Sequence, residues 1–253
     1  MKFKATLFSS LVFLALGCLF IKDSEDLKLF VWFISTFFLF VVSLGVIVLR
    51  INFFLPALCR LKGNKVLITF DDGPHPENTP KILDSLKEND VRAVFFIVGE
   101  KAEKHPEIVQ RILDEGHLIG NHTFSHPPLF ALMSGNRVSK EIDKCQTLLN
   151  NKFTMNNLFF RPPIGYTNPI IARSVRALNV RVMGWTFRSW DTVLKNPEAL
   201  LKRSRKGLKP GNILLFHDTL DQTSSMLPSL LKISKEKGIN FVDVHMLNHD
   251  TNV

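Results

Sequence analysis

Val66-Leu67-Ile68-Thr69-Phe70-Asp71-Asp72-Gly73-Pro74 is an apolar run that delivers two adjacent carboxylates onto a Gly-Pro turn. Two like charges side by side repel each other and cost stability unless a cation or a proton sits between them. A bound divalent metal is the simplest explanation, and His122-Thr123-Phe124-Ser125-His126 further along supplies two imidazoles to share it.

Downstream of this run, short β-branched or aromatic stretches alternate with helical ones. The strand candidates are 66–70, 92–98, 117–120, 158–160, 180–187, 212–216 and 239–244. Helix candidates lie between them at 79–88, 106–115, 140–149, 169–178, 197–207 and 225–236. Several of these helices open with Pro in the first turn and end at Gly or Asn, as starts and stops should. Such alternation argues for α/β architecture, a parallel sheet with crossover helices, either open or closed into a seven-stranded barrel. The unusual polar residues fall at the C-terminal ends of the runs: Asp71, Asp72, His122, Arg161, Arg188, Asp191 and His217. Active sites of parallel sheets and barrels gather at that edge, so these segments are expected to converge on one cleft.

Upstream, the composition changes near residue 50. Ala5 to Ile21 and Leu29 to Leu49 are nearly free of charge, and the second run, at ~1.5 Å per residue, is long enough to cross a hydrocarbon core of about 30 Å. The expectation is a membrane anchor over 1–50 with two transmembrane helices at about 5–21 and 29–49, a linker over 51–63, and a catalytic domain over 64–253. A cleaved signal followed by one anchor is the alternative for the first run, with Ala15-Leu16-Gly17-Cys18 as a faint cleavage box. Lys2 and Lys4 precede the first helix, while Arg50, Arg60, Lys62 and Lys65 follow the second. The positive-inside rule therefore places both ends, and the large domain, in the cytoplasm.

The 253 residues carry a net charge of +9, with Lys202, Arg203, Arg205, Lys206 and Lys209 clustered. That cluster suits a solvated helix face, an anionic lipid surface or a phosphate-bearing substrate. Nucleic acid is not an expected partner, since no helix-turn-helix or zinc-finger signature accompanies the charge. The 3 cysteines, Cys18, Cys59 and Cys145, form neither a disulfide framework nor a zinc-binding spacing.

His122 and His126 are four apart, so on one helical turn both rings would face the same way. With Asp72 they make two nitrogens and a carboxylate, the open arrangement of a catalytic zinc site that cobalt, manganese or iron also fits. An HxxxH pair by itself is as readily two solvated histidines, and only the Asp71-Asp72 pair changes that balance. Asp71 is then free to take a proton from a water whose pKa the metal lowers, and His217, closing Leu214-Leu215-Phe216-His217, can protonate a leaving group.

Taken together, Thr69-Phe70-Asp71-Asp72-Gly73-Pro74, His122 to His126, Arg161-Pro162-Pro163-Ile164-Gly165 and Leu215-Phe216-His217 resemble the polysaccharide deacetylases, the NodB-homology domain of carbohydrate esterase family 4. The resemblance spans roughly residues 64–245 and implies a distorted (β/α) barrel of about seven strands. It implies that Asp71 is the general base, that Asp72, His122 and His126 are the metal ligands, and that His217 is the general acid. Arg161 is similar to the arginine that orients the base, Ile164 would offer a backbone N–H to an oxyanion, and Leu215 would line the pocket for the acyl methyl.

Two departures stand out. Ile164 occupies a position where the family usually has Tyr, with Tyr166 nearby as a substitute contact. The family's Asp-x-x-Asp-Trp motif appears as Arg188-Ser189-Trp190-Asp191-Thr192, so Arg188 replaces the Asp that tethers the catalytic histidine. Asp191 is a candidate for that tether, Arg188 for a contact to a substrate phosphate or carboxylate, and Trp190 and Trp185 for stacking on a sugar or packing in the core. The reaction expected is removal of an N-acyl group, first of all acetyl, from an amino sugar in a glycan or glycolipid. Deformylation or deacetylation of an undecaprenyl-linked sugar, O-acetyl ester hydrolysis, and sugar binding without turnover are the competing readings. His75 could border the cleft, whereas His105, His117, His245 and His249 are read as surface or core.

Overall fold

The computed structural model describes residues 2–154 and 158–248; His249 and the rest of the C-terminal end expected in the domain lie outside the described residues. Two apolar helices come first, α1 (Lys2–Phe20) and α2 (Ser24–Ile47), both long and apolar enough to cross a membrane. Asp23 caps α2, its carboxylate accepting hydrogen bonds from the Glu25 and Asp26 N–H groups, so that helix starts earlier than apolarity alone suggests. The two helices form a hairpin whose free ends return together. Phe3 N–H donates to the Phe53 carbonyl, and the Lys2 ammonium donates to the Ile51 carbonyl.

The remainder is built on seven parallel strands: β1 (Leu67–Gly73), β2 (Val94–Ile97), β3 (Leu118–Asn121), β4 (Phe159–Phe160), β5 (Arg181–Val182), β6 (Phe187–Arg188) and β7 (Ile213–His217). Their order is β5-β4-β3-β2-β1-β7-β6, with β1 central. Helices α3 (Asn78–Glu88), α4 (Gly99–Lys104), α5 (Pro106–Asp114), α6 (Gly135–Phe153), α7 (Pro169–Ala177), α8 (Pro197–Ser204) and α9 (Asp221–Glu236) cover the sheet. Val138, Ile142, Cys145 and Leu149 of α6 are buried at helical spacing, the stripe that seats an amphipathic helix on a sheet. β1 is buried on both faces, with Phe70 stacked on Phe95 at 4.9 Å, which explains its unbroken apolar run.

The expected barrel is a curled sheet whose end strands β5 and β6 do not pair with each other. The strand expected over 180–187 splits between them. At Met183 and Gly184 the chain leaves the sheet, Leu58 donating to the Val182 carbonyl and Gly184 N–H donating back to Leu58. A Cβ on Gly184 would overlap the Cys59 sulfur and Leu49, so this close approach requires glycine. Residues expected as a linker thus fill the gap: Leu58 bridges Met183 and Arg60 bridges Asn212, while Phe53, Phe54, Leu55 and Ala57 are buried with Phe130 and Phe160. The last expected strand, 239–244, makes only a bridge from Phe241 to Val66 before turning into a 3-10 segment, because both edges of β1 are already occupied.

Candidate active site

Parallel pairing in register sets Asp71 opposite His217, and β3 runs alongside, so their C-terminal ends open at one edge. Asp71 and Asp72 still belong to β1, but Asp72 turns to a φ of 72°, which divides the pair between two directions. Asp71 is buried and its Oδ1 accepts a hydrogen bond from Arg161 Nη1 at 2.6 Å. Arg161 is fully buried; its other donors reach the Thr69 hydroxyl and the Met183 and Gly184 carbonyls, and its guanidinium lies 3.9 Å over the Phe96 ring. A buried cation so held fixes the carboxylate next to it and balances its charge.

Asp72 faces the histidines. Its Oδ1 lies 3.3 Å from His122 Nε2 and 3.3 Å from His126 Nε2. The sequence spacing anticipated a helical turn, but no helix exists there. His122 follows β3 directly, and Thr123 (φ 68°) and His126 (φ 50°) bend the loop until both rings meet at 4.9 Å between centroids. Asn121 secures that bend by accepting the Thr123 N–H, and Glu141 does so by accepting the Ser125 N–H and hydroxyl.

The His122 ring bears on what these three residues could hold between them. Its Nδ1 is 2.8 Å from the Arg161 carbonyl, which only accepts, so Nδ1 carries a proton and donates. With Nδ1 so engaged, Nε2 is the ring atom left to face the Asp72 carboxylate, and it can meet that oxygen either by carrying a second proton or by sharing a cation with it. One ligand atom each from Asp72, His122 and His126 lies within 4.8 Å of the others, a donor set that fits a divalent ion. Burial would raise the Asp72 carboxyl, but with the imidazoles protonated the His122 hydrogen bond and charge, and the charges of His217 and His126, hold it well below its usual range. Burial pushes His126 down, as does the His122 charge.

His217 stands on the opposite side, at the end of β7. Its backbone N–H donates to Asp191 Oδ2 at 2.7 Å and its Nδ1 donates to Asp191 Oδ1 at 2.8 Å. Burial alone would lower this imidazole, but the Asp191 hydrogen bond and charge lift it to about 9, so it is a cation at neutral pH. Asp191 also accepts from the Thr192 N–H and the Thr223 hydroxyl, while Gln222 donates to its carbonyl. Asp191 therefore sits where a tether is needed. Thr223 and Gln222, in the first turn of α9, carry no sequence signal that would have found them.

The remaining candidates spread around the mouth. Leu215 is buried on β7 in register with Arg188 and Thr69. Ile164 has a φ of 62° in the turn after β4 and is 44% exposed, an unusual backbone for a β-branched residue and of the kind found at functional sites. Tyr166 is half-buried two residues on, and Trp185 packs beneath Gly165. Trp190 (φ 64°) is exposed, with the Arg203 guanidinium 3.7 Å over its ring, and the Arg188 carbonyl accepts from the same arginine. His75 has a structural task, accepting the Glu77 and Asn78 N–H groups at the start of α3. Asp218, unnoticed in the sequence, is fully buried behind Gly73; burial pushes its carboxyl up to about 7, and the Thr79 hydroxyl donates to it.

A family profile described as polysaccharide deacetylase matches residues 60–183. A peptidoglycan-N-acetylglucosamine deacetylase of Bacillus cereus is 37% identical over 182 residues, covering 70% of this chain and 66% of the relative, just under two thirds of its length. A second protein of that name from the same organism is 33% identical over 187 residues, covering 72% of this chain and 87% of the relative. Among solved structures, peptidoglycan deacetylase PdaC from Bacillus subtilis superposes with a TM-score of 0.68 at 30% identity, covering 74% of this chain and 91% of that one.

Proposed function

The chain belongs to the polysaccharide deacetylase family, and on that premise we propose that it is a metal-dependent hydrolase removing an N-acetyl group from an amino sugar. The observation that carries this reading is the division of the Asp71-Asp72 pair: one carboxylate faces two imidazoles, and the other is held by a buried arginine. Asp72, His122 and His126 would hold a divalent ion, zinc first, with cobalt, manganese or iron(II) as alternatives. Bound there, the ion would polarise the amide carbonyl and lower the pKa of water.

The chain's own residues do the rest. Asp71, oriented through Oδ1 by Arg161, has Oδ2 turned towards the metal ligands, 3.9 Å from His122 Nε2, and takes the proton of the attacking water. The Ile164 N–H, in its left-handed turn, donates to the oxyanion, and Leu215 lines the recess for the acetyl methyl. His217, held as a cation by Asp191, gives its Nε2 proton to the departing amine. Trp190, Tyr166 and Arg188 border the mouth and are assigned to sugar contacts.

Several relatives bear names that specify peptidoglycan N-acetylglucosamine, and two others names that specify N-acetylmuramic acid; the present substrate is assigned to the same chemical class. The returning ends of the α1–α2 hairpin support a reading in which both flank one side of a membrane, the cytoplasmic side by the charge bias. A lipid-linked amino sugar is then the second reading of the substrate. The test is acetate release from N-acetylglucosamine oligomers and from a lipid-linked N-acetylglucosamine, with and without chelator. Chelator-sensitive acetate from either supports the reading; formate in its place, or hydrolysis only of O-acetyl esters, contradicts it.

A further inference from the structure

Outside α1 and α2, the exposed large hydrophobic residues among the described residues are Leu129, Leu132, Ile164, Ile170, Trp190, Val193 and Met246. All but Met246 lie between a strand's C-terminal end and the helix after it, or in that helix's first turn: Leu129 and Leu132 after β3, Ile164 and Ile170 after β4, Trp190 and Val193 after β6. They form an apolar rim on the edge that carries Asp71, Asp72, His122 and His217. Exposed apolar residues scattered singly need no explanation, but a set confined to one edge does.

The end of α2 lies at the same edge. Thr167, in the loop that contains Ile164, donates its N–H to the Val46 carbonyl and its hydroxyl to the Gly45 carbonyl. Val41, Val42 and Val46 of α2 pack in one cluster with Phe130, Ala131 and Met133, the segment between Leu129 and Leu132. Asn168 ties the two loops together by donating to the Ala131 carbonyl. The last apolar turn of the span is thus at one level with the part of the rim that follows β3 and β4. Arg137 and Arg173, near the starts of α6 and α7, are exposed beside the rim, where anionic headgroups would meet them.

We infer that the apolar rim rests on the bilayer holding α1 and α2, so that the site opens onto the membrane surface and takes its N-acylated amino sugar from a lipid-linked carrier. The inference rests on the deacetylase reading and on α1 and α2 being spans. A rim of Leu, Ile, Trp and Val sheds water on entering the interface, and a hydrogen-bonded junction at Thr167 keeps the domain from swinging away.

The full chain, with Cys18→Ser to remove its exposed thiol, is labelled at Leu132→Cys, Ile170→Cys or Val193→Cys in phosphatidylethanolamine–phosphatidylglycerol vesicles. A label at Asp90→Cys, on the opposite edge, is the control. The rim labels are expected to be quenched by lipid-tethered nitroxide and shielded from iodide, and the control is expected to behave oppositely. Rim labels as open to iodide as the control overturn the inference. So does shielding without nitroxide quenching in a cross-linkable dimer, which would mean a second copy covers the rim. Leu129→Glu with Leu132→Glu should lose about tenfold or more on lipid-linked N-acetylglucosamine while turnover of soluble oligomers stays within about twofold. Equal loss on both substrates, or none, contradicts the proposal. No acetate from either substrate by the wild type, with rim labels still in lipid, defeats the deacetylase reading and leaves the docking intact.

Discussion

Asp191 accepts hydrogen bonds from the His217 ring and backbone, from Thr192 and from Thr223, so its charge is held against the imidazole despite burial. In metal-free Asp191→Asn protein, the His217 pKa should fall from about 9 by a unit or more as seen by NMR, and the alkaline limb of kcat/KM in the loaded enzyme should move to lower pH with it. An unmoved titration would remove Asp191 from its role. Because the folded-state value lies above the ~6.5 of a free imidazole, the His217 contribution to stability is full below about pH 6.5 and is lost as pH rises through about 9. Asp71, Asp72, His122, His126 and His217, the residues proposed as ligands and as the two ends of the proton path, stood out in the sequence through their motifs. The sequence left the tether open because Arg188 stands where the resemblance expects an aspartate. The turn that brings Asp191 inward depends on a left-handed Trp190, and nothing in the residue type announces such a backbone. His122 and His126 meet as their spacing suggests, but through left-handed residues and not through a helical turn.

At the scale of elements, the strands that surround β1 were legible from their apolar runs, and the helices from Pro starts and amphipathic spacing. The break at Met183 and Gly184 was not, because the partner that draws the chain out of the sheet is Leu58, far away in sequence. Gly184→Ala should destabilise the fold by about 1–3 kcal/mol, since the new methyl overlaps Cys59 and Leu49 in a packed junction. Thermal unfolding in detergent checks this, and a midpoint at the wild-type value would mean the junction yields. Gln222 and Thr223 show the same limit of local pattern: the first turn of α9 supports a carboxylate on the loop after β6, a contact formed only by the tertiary fold.

For the whole molecule, the composition shift separated an apolar hairpin from a catalytic sheet, but it did not reveal that residues 53–60 and the end of α2 are packed into the catalytic fold. Removing α1 and α2 should therefore lower the midpoint of thermal unfolding of the remainder, a result that a simple tether would not give. Acid should also weaken the fold. His117 is buried between β2 and α5, and burial pushes its imidazole down to about 4, so the unfolded chain binds more protons between about pH 4 and 6.5. Stability is thus expected to fall by a few kcal/mol across that window, and less so in His117→Gln. The claim on which the rest depends is that the adjacent carboxylates divide their work. Metal content and acetate release, measured together on the full chain, test it most directly. Asp72→Asn should lose the bound ion, whereas Asp71→Asn should keep one ion per chain and lose about 10²–10⁴ of turnover. Equal loss of metal from both variants, or Asp71→Asn turning over at the wild-type rate, would contradict it.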